Sequence, residues 1–173
     1  IVPSGTIPAL MHDGFTLGES DAIAEYLNEL VPEPAMLPEA IKERAMARAL
    51  SRFHDTRIEP LLRSYFGQVA PANRNAAFIA ENAVLLQHRF NQLAEIRTPS
   101  PLLTGTDLSL ADCGFVPSFA ILNCLRGLLG FDLILPASIK AYEAALCSHQ
   151  SVRYEYATYA KALDEWAAAK MAG

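Results

Sequence analysis

Basic clusters, paired cysteines and uninterrupted apolar runs are all scarce in this sequence of 173 residues. Its 14 Lys and Arg residues are outnumbered by 19 Asp and Glu residues, and none of them cluster. A nucleic-acid or anionic membrane surface needs several basic groups on one face, so the composition argues against both classes of partner. The apolar stretches around residues 111–125 and 128–135 are broken by polar side chains and are shorter than a membrane span requires.

The three cysteines form no C-x-x-C pair, which predicts neither a disulfide framework nor a zinc site and favours a cytoplasmic protein. The histidines His12, His54, His88 and His149 are scattered without metal-ligand spacing, and we expect solvated or capping roles for them. No metal site is therefore predicted.

A hydrophobic content of 51% is enough for one sizeable core, or for one core plus a small second unit. The chain opens on Ile1 rather than Met and shows no signal-peptide pattern. We therefore expect a segment upstream of Ile1.

Strand patterns occur only at the start of the chain. Residues 6–17 predict a β-hairpin, because Asp13-Gly14 is a preferred pair for a tight turn between the flanking apolar runs. A lone hairpin is marginal in water, so further strands are expected from the upstream segment.

Helical periodicity dominates after the hairpin. A proline-rich linker at residues 31–38 separates a first helix from an all-α region, giving two predicted units, 1–33 and 39–173. The predicted helices cover residues 21–30, 39–66, 71–96 and 151–170, and two further helices begin at Ser109 and after Pro136. Pro60 predicts a kink near residues 56–59 in the second of them.

Two short motifs near the hairpin contain residues that folding alone does not require. Pro8 stands at the mouth of a strand, where it is either an ordinary strand-start proline or part of a special turn. Glu19 and Ser20 precede a helix, whose free N–H groups suit a carboxylate, while Glu19 could accept from an ammonium group. The two residues could thus hold an amino-acid head group, or they could be a solvated charge and an ordinary N-cap.

A third motif, Leu108-Ser109-Leu110-Ala111-Asp112, has the spacing of a helix-capping box. Ser109 and Asp112 are expected to cap each other's backbone at the start of an apolar helix. Their predicted role is structural.

Together, Gly5–Leu10, Leu17–Leu27 and the Ser109–Asp112 box resemble the cytosolic glutathione transferase family, of bacterial type. The resemblance implies an α+β two-domain fold, in which the C-terminal part of a thioredoxin-like domain precedes an all-α helical bundle. It also implies a cytoplasmic homodimeric transferase that conjugates glutathione to, or removes it from, a small hydrophobic electrophile in detoxification. Glutathione is then a co-substrate, and no cofactor is implied.

The resemblance assigns glutathione binding to Ile7, Pro8, Glu19 and Ser20. Ile7-Pro8 matches a cis-proline position whose preceding backbone contacts the cysteinyl part, and Glu19-Ser20 match the positions that hold the γ-glutamyl group. The catalytic Ser, Tyr or Cys of the family would lie upstream of Ile1. Two alternatives stay open, a noncatalytic binding or interaction module and a Cys-type thiol transferase or glutathione lyase.

Other candidate residues lie in the helical region. Arg52, Arg57, Tyr65 and Phe66 are candidates for the hydrophobic-substrate site, whereas the aromatic residues of the last helix are expected to pack. Asp55 could reach a γ-glutamyl amine across a dimer interface, but as the helical neighbour of His54 it is not expected to orient that ring.

The three cysteines have different predicted environments. Cys113 and Cys124 are expected to be buried as small hydrophobes, and Cys147 to be exposed at a helix end.

Overall fold

The computed structural model describes Pro3 and residues 5–172, and it begins with an antiparallel hairpin. Strands β1 (Ala9–His12) and β2 (Phe15–Gly18) pair with Ala9 opposite Gly18 and His12 opposite Phe15. Asp13 and Gly14 both have positive φ, 47° and 80°, as a type I′ turn requires. The predicted hairpin is thus present, with strands set by this turn.

Eight α-helices follow within the described residues. They are α1 (Ser20–Leu30), α2 (Ile41–Phe53), α3 (Glu59–Ser64), α4 (Ala76–Ile96), α5 (Leu110–Cys113), α6 (Phe115–Leu129), α7 (Ala137–Ser148) and α8 (Arg153–Ala172). Residues 31–40 between α1 and α2 contain no regular element. The division of the chain at this linker stays a prediction.

The long helix expected at residues 39–66 is broken into three parts. A π-helical turn at His54–Ile58 separates α2 from α3, and Pro60 lies in the first turn of α3. Proline has no N–H to donate to the preceding turn, so the regular hydrogen-bond ladder cannot continue through this point. The predicted irregularity is real, and it spans a whole turn.

The helix expected from Pro71 begins later. Residues Pro71–Asn73 form a 3₁₀ turn, and α4 starts at Ala76. Asn75 caps it by accepting a hydrogen bond from the Phe78 N–H at 3.1 Å.

The core lies in the helical region, because every buried apolar side chain among the described residues is Ala47 or C-terminal to it. Helices α5 and α6 together reach a length and apolarity that could cross a bilayer, more than the sequence interruptions suggested. However, Phe115, Phe119 and Leu122 are buried in the bundle, as in the central helix of a globular core. The hairpin packs against α1, and α1 in turn contacts α5 of this bundle.

Candidate functional site

The hairpin brings the two motifs near the N-terminus together at its open end. Ala9 is paired with Gly18, so Ile7-Pro8 enters the hairpin beside the point where Glu19-Ser20 leaves it. Paired Cα atoms in antiparallel strands lie about 4.5–5.5 Å apart. The Ile7–Pro8 peptide is cis, and Ile7 is 93% exposed.

Glu19 occupies the N-cap position of α1 with a positive φ of 68°. Its carbonyl accepts the first helical hydrogen bond from Ile23 at 3.0 Å, but its side chain makes no capping bond. Ser20 is the first helical residue. The positive end of the helix dipole therefore lies beside two exposed side chains that carry an oxygen.

A cavity of about 470 Å³ opens next to Ser20, between α1, the π-helical turn, α6 and α8. Its described lining residues are Ser20, Asp21, Ala24, His54, Asp55, Glu59, Arg63, Leu110, Cys113, Gly114, Pro117, Ser118, Ile121 and Tyr159. Ser20 belongs both to the hairpin end and to this cavity, so the two features form one continuous candidate site.

His54 and Ser118 lie on the wall of this cavity, and both are buried. The ring nitrogen Nδ1 of His54 lies 2.8 Å from Asp55 Oδ1, and Nε2 lies 2.7 Å from Ser118 Oγ. The expectation that Asp55 would not orient this ring was wrong, as was the expectation that His54 is solvated. The π-helical turn carries both residues, so the angular spacing of a regular helix does not apply.

Gly114 and Phe115 hold the His54 ring from the other side. A Cβ atom on Gly114 would lie 2.5 Å from His54 Nδ1, so only glycine leaves room for the ring. The Phe115 ring packs against the imidazole with centroids 4.7 Å apart. The orientation of His54 is thus fixed by packing as well as by hydrogen bonds.

Two carboxylates meet where α1 approaches the π-helical turn. Burial and the nearby charge of Asp55 raise the pKa of Asp21, although Ser51 donates a hydrogen bond to it at 3.2 Å. The hydrogen bond from His54 lowers the pKa of Asp55. Asp55 therefore stays ionised, and its carboxylate is engaged by His54 of its own chain.

Cys113 also lines the cavity, and the expectation that it is fully buried was wrong because the residue is exposed at the end of α5. Its Sγ nevertheless lies against protein atoms, 3.6 Å from the Ser109 carbonyl oxygen. This desolvation, together with the charges of Asp112 and Asp21, raises the pKa of the thiol to about 11. At neutral pH Cys113 is a thiol, which is a poor nucleophile.

The other two cysteines, Cys124 and Cys147, are half-buried. Burial raises the pKa of both thiols, that of Cys147 to about 11. Neither has the low pKa that marks a reactive cysteine.

The four residues predicted for a hydrophobic-substrate site are not brought together, and none of them lines the cavity beside Ser20. Arg52 and Arg57 are exposed, with an Arg52 Nη2 atom 3.9 Å from Asp21 Oδ2. Tyr65 is fully buried and stacks on Phe131 at 4.7 Å, which leaves it no surface for a ligand. Phe66 packs on Trp166.

The residues that line the cavity instead were harder to find in the sequence. His54, Ser118 and Arg63 come from separate elements and form no local motif. The dipeptide His54-Asp55 was the one available signal. In the part of the chain that the structure describes, no three His, Cys, Asp or Glu side chains group so as to hold a metal ion.

Comparisons with known proteins identify relatives of this chain. The family model of the glutathione S-transferase N-terminal domain matches residues 1–35. Maleylacetoacetate isomerase of Rattus norvegicus is 36% identical over 121 residues, which cover 68% of this chain and 54% of that protein. The chain belongs to the glutathione transferase family. It spans about half the length of the curated relatives named maleylacetoacetate isomerase in rat and mouse.

Solved structures of glutathione transferases share the fold. A delta-class enzyme of Nilaparvata lugens superposes with a TM-score of 0.77 over 98% of this chain and 78% of its own, at 22% identity. A bacterial Zeta-class glutathione transferase, maleylpyruvate isomerase, gives a TM-score of 0.66 at 27% identity, covering 87% of this chain and 73% of its own. The predicted fold class, a partial thioredoxin-like domain followed by a helical bundle, is confirmed.

Proposed function

We propose that this protein is a glutathione transferase that joins the thiol of glutathione to a small hydrophobic electrophile, or removes it. One observation carries the proposal, namely that the hairpin places Ile7-Pro8 and Glu19-Ser20 side by side at the edge of a cavity. Glutathione can then contact both pairs of residues at the hairpin end.

The binding of glutathione would use main-chain and side-chain groups together. The backbone of Ile7 would bond the cysteinyl part, as an added strand does at a sheet edge. The γ-glutamyl carboxylate would lie at the start of α1 beside Ser20, where N–H groups and the helix dipole favour an anion. The Glu19 carboxylate would accept a hydrogen bond from the γ-glutamyl ammonium group.

Transfer of the thiol requires its deprotonation, because the thiolate is the nucleophile. We assign this step to the catalytic Ser, Tyr or Cys that the family resemblance implies. Cys113 is poorly suited to the role, because the pKa of its thiol is raised to about 11. An electrophile bound next to the sulfur would react without a bimolecular encounter in solution.

A second candidate function is glutathione-dependent isomerisation. It is favoured by the identity of 36% to a protein named maleylacetoacetate isomerase. The same glutathione-binding residues would serve both reactions, so the two candidates differ in what the cavity accepts.

We further propose that the protein is a cytoplasmic homodimer without a resident cofactor or metal. Membership in the family supports these features.

Loss of both side chains at the start of α1 tests the proposal. Glu19→Ala with Ser20→Ala removes one charged and one neutral hydrogen-bonding partner, so we expect glutathione affinity to fall at least about tenfold. Isothermal titration of the full-length protein with glutathione measures the change. Glu29→Ala, at the exposed far end of the same helix, is the matched control. Unchanged affinity in the double variant would contradict the proposed site.

A further inference from the structure

Helix α1 carries Glu19 and Ser20 at its start, yet little close packing attaches it to α2. All residues of α1 are described, and none of its side chains is fully buried. A separate cavity of about 280 Å³ lies between α1 and α2, so side chains do not fill the space between the two helices on this side. The position of α1 relative to α2 therefore depends on polar side chains that reach across this gap.

Acidic and basic residues face each other across the gap at helical spacing. Asp21 and Glu25 are one turn apart on α1, and Arg48 and Arg52 are one turn apart on α2. Arg48 Nε and Nη2 each donate a hydrogen bond of 2.8 Å to the Glu25 carboxylate, one to each oxygen. Asp21 accepts a hydrogen bond from the Ser51 hydroxyl at 3.2 Å, and an Arg52 Nη2 atom lies 3.9 Å from its carboxylate. Two polar bridges thus join the antiparallel helices.

The bridge between Arg48 and Glu25 is the better defined of the two. A guanidinium that donates two parallel hydrogen bonds to one carboxylate fixes the relative orientation of the two groups as well as their distance. The hydrogen bond from Arg48 lowers the pKa of Glu25, whereas burial and the charge of Asp55 raise the pKa of Asp21. The Arg48 and Glu25 side chains are 46% and 34% exposed, so solvent screens the pair and its contribution is modest.

We infer that Arg48 is a positioning residue for glutathione, which through Glu25 holds α1 where Glu19 and Ser20 can contact the γ-glutamyl group. The inference rests on the proposed function, since it concerns the same binding site. Glu25 lies about 7.5 Å from Ser20 along the helix axis, so a rigid helix transmits a displacement at Glu25 to its own start. Arg48 is not among the described residues that line the cavity beside Ser20, and it acts on the site only through α1.

Reversal of the charge at Arg48 should weaken glutathione binding. Without the bridge, α1 would also occupy positions in which Glu19 and Ser20 are displaced, and the apparent dissociation constant rises as the competent fraction of the protein falls. Arg48→Glu replaces the attraction by repulsion, and we expect about fivefold weaker binding, in keeping with the modest strength of an exposed pair. Isothermal titration of the full-length protein with glutathione gives the dissociation constant and the number of binding sites. A variant that is partly unfolded would instead show fewer sites.

A second variant separates the bridge from the residues that form it. Glu25→Arg combined with Arg48→Glu restores the attraction with the charges exchanged, and it should bind glutathione within about twofold of the parent protein. Lys161→Glu is the matched control, because it reverses one charge of an exposed ion pair with Glu165 that lies within α8 and joins no two elements. Its affinity for glutathione should equal that of the parent.

The outcomes distinguish the positioning role from the proposed function. Equal glutathione affinity in the Arg48→Glu and Lys161→Glu proteins would overturn the positioning role, while the proposed function would stand. A charge-exchanged protein that binds as weakly as Arg48→Glu would also overturn it, because the loss would then come from the altered residues and not from the bridge. If glutathione does not bind to the parent protein, the proposed function fails and the positioning role fails with it.

Discussion

His54 has both ring nitrogens hydrogen-bonded and one ring face against the backbone at Gly114. The ring has no free space on the side of Gly114, so an atom added to that glycine would have to displace the ring. Interiors are packed closely enough that such displacement is costly. The glycine is thus required for the Asp55–His54–Ser118 arrangement, though it takes no part in the hydrogen bonds.

Gly114→Ala should destabilise the protein by about 2–4 kcal/mol, because the new Cβ would overlap the imidazole and break its hydrogen bonds. Urea denaturation measures the free energy of unfolding. Gly127→Ala is the matched control, since it lies in α6 with nothing within 4 Å of the new Cβ. It should be neutral or slightly stabilising. Equal effects of the two substitutions would refute the steric explanation.

The cysteine thiols should react slowly with electrophiles in the folded protein. The pKa values of Cys113 and Cys147 are raised to about 11, so at pH 8 their thiolate fractions should be about a hundredfold below that of an unperturbed thiol. Alkylation by iodoacetamide, followed by mass spectrometry from pH 7 to 11, should accelerate through the top of this range. The urea-denatured chain is the reference, and equal rates in the two states at pH 7.5 would contradict the prediction.

Helices α5 and α6 are anchored by one buried carboxylate. Asp112 accepts hydrogen bonds from the Ser109 N–H and hydroxyl at 2.9 Å, from the Leu103 N–H at 3.2 Å and from the Tyr142 hydroxyl at 3.0 Å. The capping box itself was predictable from the spacing of Ser109 and Asp112. The bonds from Leu103 and Tyr142 were not, because they join the box to a loop and to α7 through tertiary packing.

Asp112→Ala should cost about 3–5 kcal/mol of stability, because it leaves several buried donors without an acceptor. Asp107→Ala, at an exposed position of the preceding loop, should change stability by less than about 0.5 kcal/mol. Thermal and urea unfolding of the two variants give the comparison. A loss for Asp112→Ala no larger than that for Asp107→Ala would show that the carboxylate has no structural role.

The π-helical turn shows why the site was only partly predictable. Pro60 indicated an irregularity, but no residue pattern specified a five-residue turn at His54–Ile58 rather than a simple kink. That turn decides that Asp55 contacts His54. Tyr65 presents the same difficulty, since its place in the core depends on the distant ring of Phe131.

A polar contact links α1 to α2. Arg48 donates two hydrogen bonds of 2.8 Å to the Glu25 carboxylate, which lowers the pKa of Glu25. Local motifs were enough to predict the hairpin end and the order of the helices. The cavity could not be predicted, because its wall is assembled from α1, α3, α6 and α8 only in the folded chain.

The full-length protein should be a dimer in solution. Membership in the family favours this state, and apolar side chains such as Val84 and Leu85 on α4 are exposed in the single chain. Size-exclusion chromatography with light scattering should give a mass close to twice that of one polypeptide. A mass of one polypeptide over a wide range of concentrations would rule the dimer out.

Glu19 ends the hairpin with a positive φ and leaves the start of α1 without a side-chain cap. An uncapped first turn gives up about 1 kcal/mol of helix stability. A bound anion at that position would return this energy, so ligand occupancy and the order of the helix should rise together. The free energy of anion binding is thus coupled to the stability of this helix, and the folded protein is more stable when the site is occupied.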